Sequence, residues 1–208
     1  MSRRLALMMS LALAATAGVA WGQASMVSVA LKTAAGVDAG SITVTDTPGG
    51  VIVHVEAKGL TPGWHAMHFH EKGDCSDPKL ANAGAHMNTM DHKREHGLLN
   101  VAGPDRGDLP NLYVAADGTG KTEVFSPFVS LRGAGSRPAL LDAHGSALII
   151  HANPDDYITQ PLGGAGDRVA CAVIKSSRVS PSPPGRGRWP PPGPADGRPE
   201  DRLRGRKG

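Results

Sequence analysis

The sequence predicts an all-β domain, a barrel or sandwich of about eight short antiparallel strands carrying unusually long loops. Two observations predict this. Apolar and polar residues alternate with period two in several short runs, so one face of each run belongs in a core. Turn formers rich in Gly and Pro separate the runs, and no amphipathic helix of useful length and no internal repeat interrupts them.

In chain order, Val27, Val29 and Leu31 alternate with Ser28, Ala30 and Lys32. Ile42 and Val44 alternate with Thr43 and Thr45. After the turn Thr47-Pro48-Gly49-Gly50, Val51, Val53, Val55 and Ala57 alternate with Ile52, His54 and Glu56. Thr61-Pro62-Gly63 introduces a strand that ends at His68 and His70. Runs at 112–115 and 122–125 flank the turn Asp117-Gly118, and runs at 147–151 and 169–174 complete the set. Three connections, about 71–110, 131–146 and 153–167, are too long for hairpin turns. Long ordered loops in a compact domain usually carry function.

The ends differ from the body. Arg3 and Arg4 precede an apolar run from 5 to 20, followed by small residues, which is the pattern of a secretory signal over residues 1–24. The run is short and broken by Ser10, Thr16 and Gly18, so cleavage is expected rather than stable membrane insertion. From Ser177 the chain becomes rich in Pro, Gly and Arg; residues 177–208 cannot build a core and read as a disordered, solvated tail. The domain is therefore 25–176. The formal charge is +3, but the tail contributes +5 and the leader +2, leaving the body at −4. An acidic body excludes nucleic acid as a partner. Export gives meaning to the two cysteines, Cys75 and Cys171: an even pair in an oxidising compartment defaults to one disulfide. Its loop of about 100 residues would be worth roughly 4–5 kcal/mol in the chain-entropy account.

Met67-His68-Phe69-His70-Glu71 is the most telling stretch. Histidines one residue apart diverge on a helix but share one side of a strand, side by side at a separation suited to one metal ion. All nine histidines fall between His54 and His151. His86 and His96 lie in the first long loop and His151 ends a strand. Imidazole suits copper and zinc, and a carboxylate can complete a zinc set. For His54 and His144 plain solvent exposure is expected, and for His65 a structural hydrogen bond.

Six collinear stretches resemble the bacterial exported copper,zinc superoxide dismutases. They are Gly63 through Cys75, Ala83-Gly84-Ala85-His86-Met87-Asn88, His96-Gly97-Leu98-Leu99-Asn100, Gly107-Asp108-Leu109-Pro110-Asn111, His151 through Tyr157, and Gly163 through Cys171. One His-x-His is a weak signal; six ordered matches across 25–176 are a strong one. The resemblance implies a Greek-key β-barrel with long metal-binding and channel loops, a periplasmic location, and superoxide anion as substrate. It implies conversion of two superoxide anions and two protons to dioxygen and hydrogen peroxide by Cu(II)/Cu(I) cycling, as antioxidant defence of the cell envelope. It implies one copper and one zinc per subunit. His68, His70, His86 and His151 resemble copper ligands, with His86 bridging to zinc and acting in proton transfer. His96 and Asp108 resemble zinc ligands. Asp155 resembles a carboxylate joining a ligand of each metal, Arg168 the guanidinium above copper, and Cys75–Cys171 the loop-tethering disulfide. Both monomers and homodimers occur in the family, and the interface is not legible here.

One position departs from the pattern. The usual third zinc histidine aligns with Asp105. Asp105 can substitute, because carboxylate oxygen binds zinc at a distance similar to imidazole nitrogen. His92 can swing in instead, or zinc can be weakly held or absent; Asp105 ranks first. The departure keeps alive a non-enzymatic copper-binding protein of the same fold, although Arg168 and Asp155 serve no purpose in storage. An electron-transfer copper protein needs a thiolate ligand, which the disulfide would consume.

Overall fold

The computed structural model describes residues 25–88 and 94–176. The expected signal, the tail and His92 lie outside these residues. Nine strands are present: β1 (Met26–Thr33), β2 (Asp38–Thr47), β3 (Gly50–Ala57), β4 (Gly63–His65), β5 (Met67–His70), β6 (Leu112–Val114), β7 (Gly120–Ser126), β8 (Ser146–His151) and β9 (Arg168–Ile174). The only helical element among the described residues is a single 3-10 turn at Ala81–Ala83. No helix there is long and apolar enough to cross a membrane.

The strands form one antiparallel sheet in the order β4-β6-β7-β3-β2-β1-β9-β8-β5. Its two edge strands are consecutive in sequence and separated by Ala66 alone, so the sheet closes on itself into a nearly complete barrel. The run 63–70 thus pairs first with β6, Trp64 opposite Tyr113, and then with β8, His68 opposite Ile149. Counting this run as one strand gives the expected eight; the change of partner at Ala66 makes it nine. β1, β2 and β3 form a meander, whereas β3–β4, β5–β6 and β7–β8 connect strands that are not neighbours.

Alternation was a sound guide to the inner face. Ile42, Val44, Val51, Val53 and Val55 are buried in a single core with Leu31, Met67, Phe69, Leu148 and Ile150. His54 points outward, bonding Glu56 and facing Glu123 across the sheet, and His144 is exposed in its turn. β5 and β8 are buried on both faces. In β5, Met67 and Phe69 face the core while His68 and His70 face outward, where the long loops cover them.

The first long loop docks along the free edge of β5. Phe69 donates its N–H to the Gly107 carbonyl at 2.8 Å, Met87 N–H returns to the Phe69 carbonyl at 2.8 Å, and Glu71 N–H reaches the Ala85 carbonyl at 3.0 Å. These bonds place His86 opposite His70 and Asp108 opposite His68. Gly107 is required by the close approach: a Cβ there would stand 2.2 Å from the Phe69 carbonyl oxygen. The disulfide Cys75–Cys171 ties the same loop to β9, with Cα atoms 6.5 Å apart.

Candidate metal centre

His68 and His70 come from β5, His151 from the end of β8, and His86 from the docked loop. All four are buried, and each offers one ring nitrogen to a group whose ligand atoms lie within 4.8 Å of one another. In each ring the other nitrogen is spoken for. His68 Nε2 lies 2.9 Å from Asp155 Oδ2, and His70 Nδ1 3.0 Å from the Gly84 carbonyl. His151 Nδ1 lies 3.2 Å from the Gly166 carbonyl, and His86 Nδ1 2.9 Å from Asp105 Oδ2. That leaves His68 Nδ1, His70 Nε2, His86 Nε2 and His151 Nε2, and among the described residues these four buried nitrogens have no hydrogen-bond partner. Buried polar atoms are normally paired, so four orphans aimed at one point fit a bound metal. A set of four imidazoles suits copper.

Burial keeps the His68, His70 and His151 rings neutral. It lowers the His68 pKa to about 3, despite the hydrogen bond to Asp155 that works the other way. It lowers His151 to about 4 and holds His70 well below the ordinary histidine range, with the charges of His86 and Arg168 adding to the effect. Neutral imidazole is the ligating form.

A second convergence lies on the far side of the His86 ring. His96 Nδ1 is 2.7 Å from Asp108 Oδ1 and 3.8 Å from Asp105 Oδ2, and His86 Nδ1 is 3.8 Å from Asp108 Oδ1. Each carboxylate commits one oxygen to the backbone. Asp108 Oδ2 accepts from Gly97 N–H and Asp105 N–H at 2.8 and 2.9 Å, and Asp105 Oδ1 accepts from Gly107 N–H at 2.8 Å. The remaining oxygens and the two Nδ1 atoms form a set of two nitrogens and two oxygens, suited to zinc. By proximity alone His68 groups with His86, His96 and Asp108. Its nitrogens, however, serve Asp155 and the first cluster, and Asp105 stands closer to His86 Nδ1. Asp105 Oδ2 thus faces the Nδ1 atoms of both His86 and His96, at 2.9 and 3.8 Å.

The electrostatics of the second set follow from its carboxylates. Burial opposes a charge on His96, but the neighbouring carboxylates of Asp105, Asp108 and Asp155 outweigh it and push the pKa up to about 11. Asp105 is held well below the usual carboxylate range: burial opposes this, and His86 and His96 prevail. Burial and the neighbouring Asp105 charge raise Asp108. Two carboxylates at one site divide in this way because both cannot ionise freely.

Asp155 joins the sets. Its Oδ2 accepts from His68 and its Oδ1 from His96 Nε2 at 3.1 Å. Asn111 grips its backbone at both N–H and carbonyl, each at 2.9 Å. Gly163 leaves room for the carboxylate, since a Cβ there would come within 1.7 Å of Asp155 Oδ1. Burial opposes the charge on Asp155, yet the histidine and Tyr157 N–H bonds hold its pKa well below normal.

Arg168, at the start of β9, donates to the carbonyls of Leu80 and Gly84 at 2.6 and 2.7 Å. Both acceptors are neutral, so they fix the guanidinium without cancelling its charge. It lines a cavity of about 590 Å³ whose wall also includes His86, His96, Asp105 and Gln160. The similar cavity of about 630 Å³ beside the disulfide lies away from this chemistry. His65, as expected, is structural: its ring nitrogens lie 2.7 Å from the carbonyls of His151 and Thr61. Sequence reasoning missed Gln160, a lone loop glutamine with no local signal. It also missed Asn111, whose role lay hidden inside a matched stretch.

The comparisons with known proteins agree with this geometry. The sequence model for copper/zinc superoxide dismutase matches residues 38–174. A copper-zinc superoxide dismutase of Caulobacter vibrioides is 61% identical over 145 residues, covering 70% of this chain and 83% of that protein. One from Aquifex aeolicus is 42% identical over 137 residues, covering 65% of this chain and 78% of its own. The crystal structure of a SOD-like protein from Bacillus subtilis superposes with a TM-score of 0.66 at 37% identity, covering 72% of this chain and 99% of that one. With the barrel, both donor sets and the matched span in agreement, the chain belongs to the copper/zinc superoxide dismutase family.

Proposed function

We propose that His68, His70, His86 and His151 hold copper, that His86, His96, Asp105 and Asp108 hold zinc, and that superoxide is dismutated beside them, in the periplasm. The observation that carries this reading is the set of four buried imidazole nitrogens without a hydrogen-bond partner among the described residues, one of them on His86, which shares a cavity wall with Arg168. Copper bound there supplies a one-electron couple that can accept an electron from one superoxide and return it to a second, while zinc supplies charge without redox change. Two superoxide anions and two protons give one dioxygen and one hydrogen peroxide.

The chain's own groups do the rest. Arg168 binds the small anion with a charge that does not titrate in the working range, fixed by two carbonyls so that little ordering is required on encounter. The body is acidic, so attraction has to be local; a positive group in a low-dielectric channel raises the encounter rate, and salt weakens it. His86 has one nitrogen in each set and lies on the cavity wall, so its Nε2 is the atom that holds a proton for the peroxide product. Asp155 keeps the protons of His68 and His96 on Nε2, which leaves both Nδ1 atoms free to ligate.

The periplasmic part rests on the charged and apolar leader of residues 1–24 and on the disulfide, and cell fractionation tests it. A homodimer belongs to the same proposal, supported by the exposed Trp64–Tyr113 ring pair on neighbouring strands, and sedimentation tests it. The decisive experiment for the reaction is Arg168→Glu in copper- and zinc-loaded protein. Turnover at low ionic strength should fall at least tenfold with copper content unchanged; full turnover would refute the role.

A further inference from the structure

The loop from 152 to 167 carries Asp155 and leads into Arg168. Its base is held like a short ladder, with Ala152 N–H on the Asp167 carbonyl and Asn153 N–H on the Ala165 carbonyl. Its middle is held by Asn111 and by Leu99 N–H on the Tyr157 carbonyl. The tip is held differently. Asp156 caps Ile158 and Thr159 from within the loop, which gives the tip a shape but no attachment. The attachment is Gln160. Its Nε2 donates to the His96 carbonyl at 2.8 Å and to the Ile158 carbonyl at 3.0 Å, and its Oε1 accepts from His96 N–H at 3.1 Å. One amide thus satisfies both backbone groups of a single residue, and that residue belongs to the second donor set.

We propose that Gln160 is a positioning residue, a latch that fixes the His96 backbone and holds the tip of the 152–167 loop over the His96 side of the cavity. The inference rests on the assignment of His96 as a zinc ligand. The His96 ring is already oriented by Asp155 at Nε2, with Nδ1 facing Asp108 Oδ1 at 2.7 Å. A ligand ring is only as fixed as the backbone it hangs from, and around His96 that backbone is irregular loop. Gln160 gives it the two-bond pairing a neighbouring strand would supply, with Asn100 Nδ2 adding a third bond to the His96 carbonyl at 3.1 Å. Gln160, Pro161 and Leu162 also wall the cavity, so the same latch keeps the tip from swinging away. Gln160 is exposed, which removes a packing reason for the amide and leaves hydrogen bonding as its contribution.

The test uses the full, copper- and zinc-loaded protein with two variants, Gln160→Ala and Gln160→Glu. Glutamate has the same shape and still accepts from His96 N–H, but it cannot donate to the two carbonyls. A latch therefore predicts that both variants release zinc faster into a chromophoric chelator, by about tenfold, the lower end for loss of a partner that orients a ligand. Amide exchange should quicken at Ile158, Thr159 and Leu162 in both, while copper content stays at the parent level. A space-filling residue predicts that Glu behaves like the parent and only Ala differs, and that result overturns the proposal. Zinc release within twofold of the parent in both variants overturns it as well. A His96→Ala control separates this from the zinc assignment: if that variant keeps full zinc, the ligand assignment has failed, whatever the Gln160 variants do.

Discussion

Substituting Asp155 with asparagine separates the two metals in a way the geometry specifies. The carboxylate accepts three hydrogen bonds: from His68 Nε2 on Oδ2, and from His96 Nε2 and Tyr157 N–H on Oδ1. An amide has one acceptor oxygen and one donor nitrogen. The oxygen settles on the Oδ1 side, where two donors wait at 3.1 and 2.6 Å, and the NH2 group then faces the His68 Nε2 proton. Two donors nose to nose are relieved only if His68 moves its proton to Nδ1, the atom that must stay free for copper. The loss therefore falls on copper. Outer partners of metal ligands are worth about 10- to 100-fold in affinity, which is about 1.4–2.7 kcal/mol. That range overlaps the roughly 1.5–3 kcal/mol of one hydrogen bond to a charged group. The assay is chelator competition for Cu(II) and Zn(II), run separately on the parent, Asp155→Asn and Asp155→Ala. The expected pattern is copper weakened in Asn with zinc close to the parent, and both weakened in Ala. Zinc falling further than copper in Asp155→Asn, or neither changing, would refute the reasoning.

Three further outcomes are expected. Asp105→Ala removes an oxygen 2.9 Å from His86 Nδ1 and should lower zinc by at least about tenfold in affinity with copper retained, read as the zinc-to-protein ratio after dialysis; an unchanged ratio removes Asp105 from the site. The metal-free protein should lose stability on acidification. His68 and His151 have folded pKa values of about 3 and about 4, below the ordinary 6.5, so the folded state binds fewer protons, and their contribution is present above pH 6.5 and lost as pH falls towards 4. His96, raised to about 11, contributes fully below pH 6.5 and does not offset that loss. The drop should be on the order of 6 kcal/mol, about 3 from each ring, and a flat thermal midpoint of the metal-free protein from pH 7 to 4 would contradict it. Gly107→Ala forces a Cβ onto the Phe69 carbonyl oxygen and should cost about 2 kcal/mol or more by denaturant titration, with copper and zinc occupancy falling because the same loop carries His86 and Asp108.

Much of this protein is legible along the chain because its strands are amphipathic and its ligands are chemically distinctive. Val51, Val53 and Val55 declare an inner face by alternation alone, and His68-x-His70 on a strand declares two imidazoles on one side. The matched stretches then implied the roles of His86, His96, Asp108, Asp155 and Arg168, and even the departure at Asp105 was visible as a change of donor type. None of these local patterns says how the sheet closes. That is decided by Ala66, where one run leaves β6 for β8, and by a loop that pairs with the edge of β5 through backbone groups common to every residue. Backbone pairing carries no side-chain code, so its partners appear only in the folded chain. The same holds for Asp155 and His68, 87 positions apart, and for Gln160 and His96, 64 apart. Sequence supplied the ligating atoms and their tautomeric options. Tertiary structure decided which nitrogen of each ring was consumed by a neighbour and which was left available to a metal, because that choice depends on contacts between segments that meet only when the barrel closes.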